Sequence, residues 1–290
     1  MIYQPYAIVV RLLTVLRKRE NIMPKVNLES MLPHEFVEAQ QKASIAYVPT
    51  GPIEWHGPHL PLGIDAFHAA KVASEVAKRV GGVVLPTFFL GADSLLLPGK
   101  EPQGLASLGL PDSAHVIGMD FPGMAVKSLY IDEAVLGVLF RDVIRALERQ
   151  GFRMIVLISG HGAPNHMRML SRLTLEETRP GLLVIFTTAW VPRVPPEGGV
   201  GHAERMETSV MCGIGEPEVR LDLLPHRDTP LPYKDFGIVD GLAFDGFPND
   251  GFVVRAEADP RHSSAEEGKE ILSREVDCME ALVRSHSGSF

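Results

Sequence analysis

The sequence predicts an α/β fold, a three-layer α/β/α arrangement in which helices cover both faces of a mainly parallel sheet. Three observations carry that expectation. Short β-rich or apolar runs, SIAYVPTG, RMIVLIS and LLVIFTTAW, alternate with longer segments whose apolar residues recur at helical spacing. RMIVLIS in particular lacks polar alternation, as strands buried on both faces do. Polar motifs then follow the strands directly, EWHGPH after the first and GHG after RMIVLIS, and carboxyl ends of strands are where such folds gather their sites.

Taken in order, residues 1–25 read as an N-terminal extension and residues 26–290 as the domain. The apolar stretch at residues 7–16 is interrupted by Arg11 and falls short of the roughly 20 apolar residues a membrane span needs. Its basic residues lie within and after the apolar part, the reverse of a signal peptide. A peripheral helix and a poorly ordered tail both fit it. SIAYVPTG is the first strand, ended by Pro and Gly. DAFHAAKVASEVAKRVGG is a helix, with Ala66, Ala69, Ala70, Val72, Val76 and Val80 as its apolar positions and Gly81 as its stop. VVLPTFFLG is predicted as a second strand, followed by a Gly/Pro-rich loop to about Leu110. A long helix is expected from Leu129 to Gln150, a buried strand over Arg153–Ser159, and a helix after GHGAPNH through Glu177. LLVIFTTAW is a further buried strand, and the loop VPRVPPEGGVG leads from it to HAERMET. No internal repeat or low-complexity segment interrupts this series.

The chain has 290 residues, 45% hydrophobic, with a formal net charge of −8 and no block of Lys/Arg, which argues against nucleic acid or an anionic membrane as partner. Its two cysteines, Cys212 and Cys278, have no CxxC spacing, so neither a disulfide framework nor a thiolate zinc site is suggested, and a reducing cytoplasm is the expected compartment.

The chemistry is concentrated in three segments. In GPIEWHGPHLPLGID, Glu54 and His56 are two apart and share a face if extended, while Asp65 stands where a helix begins. By itself Asp65 reads equally as a helix-start carboxylate, and His59 and His68 read as structural histidines. Together, glutamate, histidine and aspartate among glycines and prolines form an oxygen/nitrogen donor set suited to Zn, Mn or Fe. In ISGHGAPNH, His161 lies between two glycines directly after a strand, a placement that favours a ligand over a core histidine. Asn165 and His166 fit a helix cap or a supporting hydrogen bond. In GHAERMETS, Glu204 and Glu207 would lie one turn apart on a helix, as solvated charges or as ligands.

These segments resemble the creatininase family, whose signatures run GSxEQHGPHLPLxTD, NGHGGN and HAGxxET in the same order. A late stretch, GFPNDGFVVRAEADPRHSSAEEGKEIL, is also similar to the family's tail, so the resemblance spans about residues 30 to 285. It implies two divalent metal ions held by Glu54, His56, Asp65, His161 and Glu207, with Asp65 bridging, and His202 moving protons in catalysis. The implied reaction is hydrolysis, an activated water attacking the carbonyl of a small cyclic amide, formamide or related ring compound. Opening of a cyclic ketone, or a non-catalytic binding role, is the alternative. A small-molecule substrate and a homo-oligomer, often a hexamer in the family, are further implications. Four positions depart from the pattern: Ala163 stands where creatininase has a glutamate ligand, Ser159 where asparagine precedes GHG, Trp55 where glutamine is usual, and Glu204 where glycine is common. Glu204 is therefore expected to shape the substrate pocket, while Trp55, turned away from the ligands by strand alternation, reads as a packed core residue or a pocket wall.

Overall fold

The computed structural model describes residues 25–96, 116–120, 126–190, 202–229, 231 and 257–286. The expectation for residues 1–25 lies outside these, apart from Lys25. Among the described residues no helix is long and apolar enough to cross a membrane.

Strand β1 (Ile45–Thr50) lies in the middle of a four-stranded sheet. It pairs with β2 (Val83–Val84) on one side and, through further strands named below, continues on the other. A two-stranded antiparallel piece follows, β3 (Leu95–Leu96) with β4 (Val116–Ile117). Strands β5 (Met154–Ser159) and β6 (Leu183–Thr188) complete the main sheet, in the order β2-β1-β5-β6 with every neighbour parallel. The register runs Thr50↔Ser159 and Ser159↔Thr188, so three strands end at one level. Whatever follows them emerges on a single edge.

The helices are α1 (Pro33–Lys42), α2 (Ile64–Val80), α3 (Glu133–Arg149), α4 (Pro164–Glu177), α5 (Arg205–Ile214) and α6 (Ala265–His286). Side-chain alternation along the strands feeds two cores. Tyr47, Met154, Val156 and Ile158 pack with Val72 and Val76 of α2, Val210 of α5 and Val276 and Met279 of α6. Ala46, Val48, Ile155 and Leu157 face the other way, onto Phe140 and Ile144 of α3 and Met169 and Leu173 of α4. The predicted three-layer α/β/α arrangement is thus present.

Two expectations are corrected in detail. VVLPTFFLG forms a ladder only at Val83–Val84, with the Leu85 N–H donating to the Tyr47 carbonyl at 2.9 Å. The chain then meets β1 again through a single bridge at Thr50 and Phe88. The helix expected from Leu129 begins at Glu133, because the Asp132 side chain accepts the N–H groups of Ala134 and Val135 and caps it there. Leu129 and Tyr130 instead bridge to Ile53 and Gly91, beside the first motif.

Candidate metal centre

Two glycines let the centre form. The first turn of α2 carries Asp65, and that turn sits against the ends of β1 and β5. A Cβ on Gly51 would fall 2.5 Å from the Asp65 Cβ, and one on Gly160 only 1.9 Å from the Asp65 carbonyl oxygen. Backbone contact this close puts the Asp65 carboxylate between the loop after β1, which bears Glu54 and His56, and the turn after β5, which bears His161. That turn is tied by Ser159, whose hydroxyl donates to the His161 carbonyl at 2.9 Å and accepts its N–H at 3.0 Å. The departure from asparagine at this position is filled by a residue that holds the ligand's own backbone.

Both histidines are oriented by backbone carbonyls. His56 Nδ1 lies 3.2 Å from the Glu54 carbonyl oxygen and donates to it, which sets Nε2 3.2 Å from Asp65 Oδ1. His161 Nε2 donates to the Ala92 carbonyl at 3.2 Å, which sets Nδ1 3.1 Å from both Glu54 Oε2 and Asp65 Oδ2. In a neutral ring each of these nitrogens would turn a lone pair on a carboxylate, a repulsion that a ring proton or a cation between the two atoms would relieve. Donor atoms around a tetrahedral ion with arms of about 2.05 Å are about 3.3 Å apart, close to these separations. Glu54 with Asp65 and His161, and Glu54 with His56 and His202, form two groups whose donor atoms lie within 4.8 Å of one another. The donor set fits divalent ions.

The electrostatics ask for the same positive charge. Burial opposes a charged His56, yet the Asp65 carboxylate outweighs it and lifts the imidazole to about 9. His161 is likewise raised against its burial, chiefly by Glu54. Burial would raise Asp65, but His56 and His161 hold it far below the usual carboxylate range. Glu207, in the first turn of α5, accepts the Ala203 N–H at 2.6 Å, and burial pushes its carboxyl up to about 7. The pocket's histidines and carboxylates can be reconciled by protons or by metal ions, and oxygen/nitrogen geometry of this kind suits the latter.

His202 stands at the side. Its Nε2 donates to the Trp55 carbonyl, and its ring stacks on His56 with centroids 4.0 Å apart and planes 29° from parallel. Burial and the neighbouring His56 bring its pKa down to about 4. Glu204 is the N-cap residue of α5 rather than a partner of Glu207 on one helix face. Neither Glu204 nor Trp55 is among the described residues that line the cavity, so the expectation that Glu204 shapes it is not met there, nor is the pocket-wall reading of Trp55; Trp55 contributes its carbonyl instead. His59 and His68 are structural as expected. His59 Nε2 meets the Thr208 hydroxyl at 2.9 Å, and His68 Nε2 meets Glu275 at 2.7 Å.

The cavity holds about 350 Å³ and is lined by all six residues of the expected site, Glu54, His56, Asp65, His161, His202 and Glu207. A hollow of about 420 Å³ elsewhere, beside Lys71 and Lys78 on α2, has none of this chemistry. Several neighbours were not foreseen. The Tyr130 hydroxyl donates to Glu54 Oε1 at 2.7 Å and receives the Met119 N–H at 3.1 Å. Asp93, Met119, Met167 and Trp190 complete the wall. The only sequence hint was that GAD follows a strand-like run ending in glycine, as the recognised motifs do.

Comparison with known proteins gives this geometry relatives. Creatinine amidohydrolase of Pseudomonas putida is 28% identical over 215 residues, covering 68% of this chain and 74% of the relative. The mycofactocin precursor peptide peptidase of Mycolicibacterium smegmatis is 28% identical over 251 residues, 82% of this chain and 83% of the relative. A crystal structure of creatinine amidohydrolase superposes with a TM-score of 0.61 at 24% identity, covering 91% of this chain and 99% of that one. Other matching structures include a variant creatininase described as the Zn-Zn type (TM-score 0.59) and one described as creatininase Mn (0.60). The family model for creatininase (creatinine amidohydrolase) matches residues 29–283, nearly the whole span in which the motifs lie, and the chain belongs to the creatininase family of hydrolases.

Proposed function

We propose that the chain is a two-metal amidohydrolase that cleaves a C–N bond at the carbonyl of a small substrate, a cyclic amide, formamide or related ring compound. One observation carries this reading. His56 and His161 each set one ring nitrogen on a backbone carbonyl and the other toward Asp65, one onto each carboxylate oxygen, where a metal ion would take the place of a ring proton. Glu54, His56, Asp65, His161 and Glu207 would hold the ions, and Asp65, with an oxygen toward each histidine, would serve both. Zinc, manganese or iron suits these residues, and zinc and manganese forms occur among the matching structures. When bound, such ions polarise the carbonyl and make water acidic enough to attack near neutral pH.

The chain's own residues do the rest. Tyr130 fixes Glu54 through its hydroxyl, and Asp65 is fixed by its place in the first turn of α2. Met119, Met167 and Trp190 give the cavity its apolar wall. His202 is assigned to proton transfer toward the leaving nitrogen. Ligand lone pairs lie in the imidazole plane, so stacked His56 and His202 rings aim theirs side by side rather than at one point. His202 Nδ1 is then available to take and return a proton.

Hydrolysis of an amide-type bond also accommodates the peptidase relative. Self-association is part of the same reading, supported by Val135, Val138 and Leu139 exposed along α3 and Leu175 on α4. The test is metal analysis of the purified chain, followed by a screen of lactams, formamides, short peptides and cyclic ketones for released amine, with light scattering for the assembly. Metal-free protein that cannot be loaded, or products without a new amine, would end the amidohydrolase reading.

A further inference from the structure

We propose that Asp93 is a specificity-determining residue of this cavity, one that reads a cationic nitrogen, an ammonium or amidinium, carried by the carbonyl substrate beside an apolar body. The inference rests on the amidohydrolase reading of the same site and names its substrate class.

The cavity wall is unequal in charge. Four carboxylates reach it, those of Glu54, Asp65, Asp93 and Glu207, and no lysine or arginine does among the described residues. Three of the four belong to the metal-ligand set. Asp93 does not, because it lies 3.8 Å from His161 Nε2, whereas the opposite ring nitrogen faces Glu54 and Asp65. Nor does Asp93 orient the histidine. The Nε2 hydrogen goes to the Ala92 carbonyl at 3.2 Å, and 3.8 Å is beyond a hydrogen bond.

The carboxylate itself is held in place. Oδ1 accepts the Ser94 N–H at 2.6 Å, and Oδ2 packs against Gly118, where a Cβ would come within 2.5 Å. Among the described residues Oδ2 receives no hydrogen bond. A carboxylate only 13% exposed, fixed at one oxygen and with the His161 ring 3.8 Å from the other as its one ion-pair contact among the described residues, carries a desolvation cost that a cation entering the cavity would offset. Trp190, Met119 and Met167 supply the apolar surface for the remainder of the molecule. Gly162 leaves the Trp190 ring open to that space, the position of a Cβ there being 3.5 Å from the ring edge.

The test uses the full chain loaded with Mn²⁺ or Zn²⁺ and a matched panel of probes. These are 3-aminopyrrolidin-2-one against pyrrolidin-2-one, and a dipeptide amide against its desamino counterpart, with binding followed by calorimetry and hydrolysis by released amine. The amine-bearing member of each pair is expected to bind about tenfold or more tightly, the range of a hydrogen bond to a charged group. Asp93→Asn should bring that ratio to about one, chiefly through KM of the amine-bearing probes, with bound metal retained. Parity in the wild type, absence of binding by every probe, or loss of metal in Asp93→Asn overturns the assignment. The last outcome would make Asp93 a support for His161. Hydrolysis with parity sinks the cation subsite and leaves the hydrolase reading intact. Selective binding without any hydrolysis does the reverse.

Discussion

Asp65 is buried with one oxygen toward each of two histidines, so its charge cannot be removed without disturbing both. Asp65→Asn should keep the fold yet lose most bound metal and most activity, because a neutral amide bridges cations poorly. Elemental analysis beside an activity assay checks this, and near-normal values for both would refute the shared-ligand role. His202→Ala should keep its metal and slow turnover by roughly 10² to 10⁴, the usual range for a lost acid–base group. Loss of metal would instead place His202 among the ligands. That these six residues meet in one cavity was legible through three short motifs and their resemblance to the family, since Asp65 and Glu207 taken singly also read as a helix-start carboxylate and a solvated charge. Tyr130 was not legible, since it reaches Glu54 from 76 residues away and no local pattern encodes that meeting. His166 makes the supporting hydrogen bond that was one of its two readings: its Nδ1 accepts the Ala92 N–H at 3.3 Å, from the residue whose carbonyl meets His161, and only that partner was hidden from the sequence.

Helix α2 serves the core along its length and the site at its first turn, so its start tolerates little displacement. Gly160→Ala would force a methyl into the Asp65 backbone, and the expected result is a loss of roughly 1–3 kcal/mol or more, together with weakened metal binding. Asp132→Ala is the contrasting case. Removing the exposed cap of α3 should cost about 1 kcal/mol, a fall in Tm of roughly 2–4 °C, without changing metal content. Thermal melts paired with metal analysis separate the two, and equal effects on metal would mean α2 is not the coupled element. Sequence periodicity placed the long strands and helices well because burial on both sheet faces leaves a strong apolar signal. Element ends were less legible. Asp132 decides one of them, by a single acceptor that a count of apolar residues does not register.

Across the whole molecule, the proposed ligands come from four places: the loop after β1, the start of α2, the turn after β5 and the start of α5. Metal bound to all four would tie distant parts of the chain together, so chelation should lower Tm. Where free ion stands at 100 times Kd, the stabilisation lost is about 2.7 kcal/mol. An unchanged Tm after metal removal would show that the ions hold nothing together. The same dispersal governs how the centre comes into being during synthesis. At about 5–20 residues per second, Glu207 leaves the ribosome a few seconds after His161. A growing chain that has already produced Glu54, His56 and Asp65 still lacks the rest of the donor set. Those early residues can attract an ion only loosely, so selection among metals is deferred until the chain is nearly complete and its geometry can discriminate.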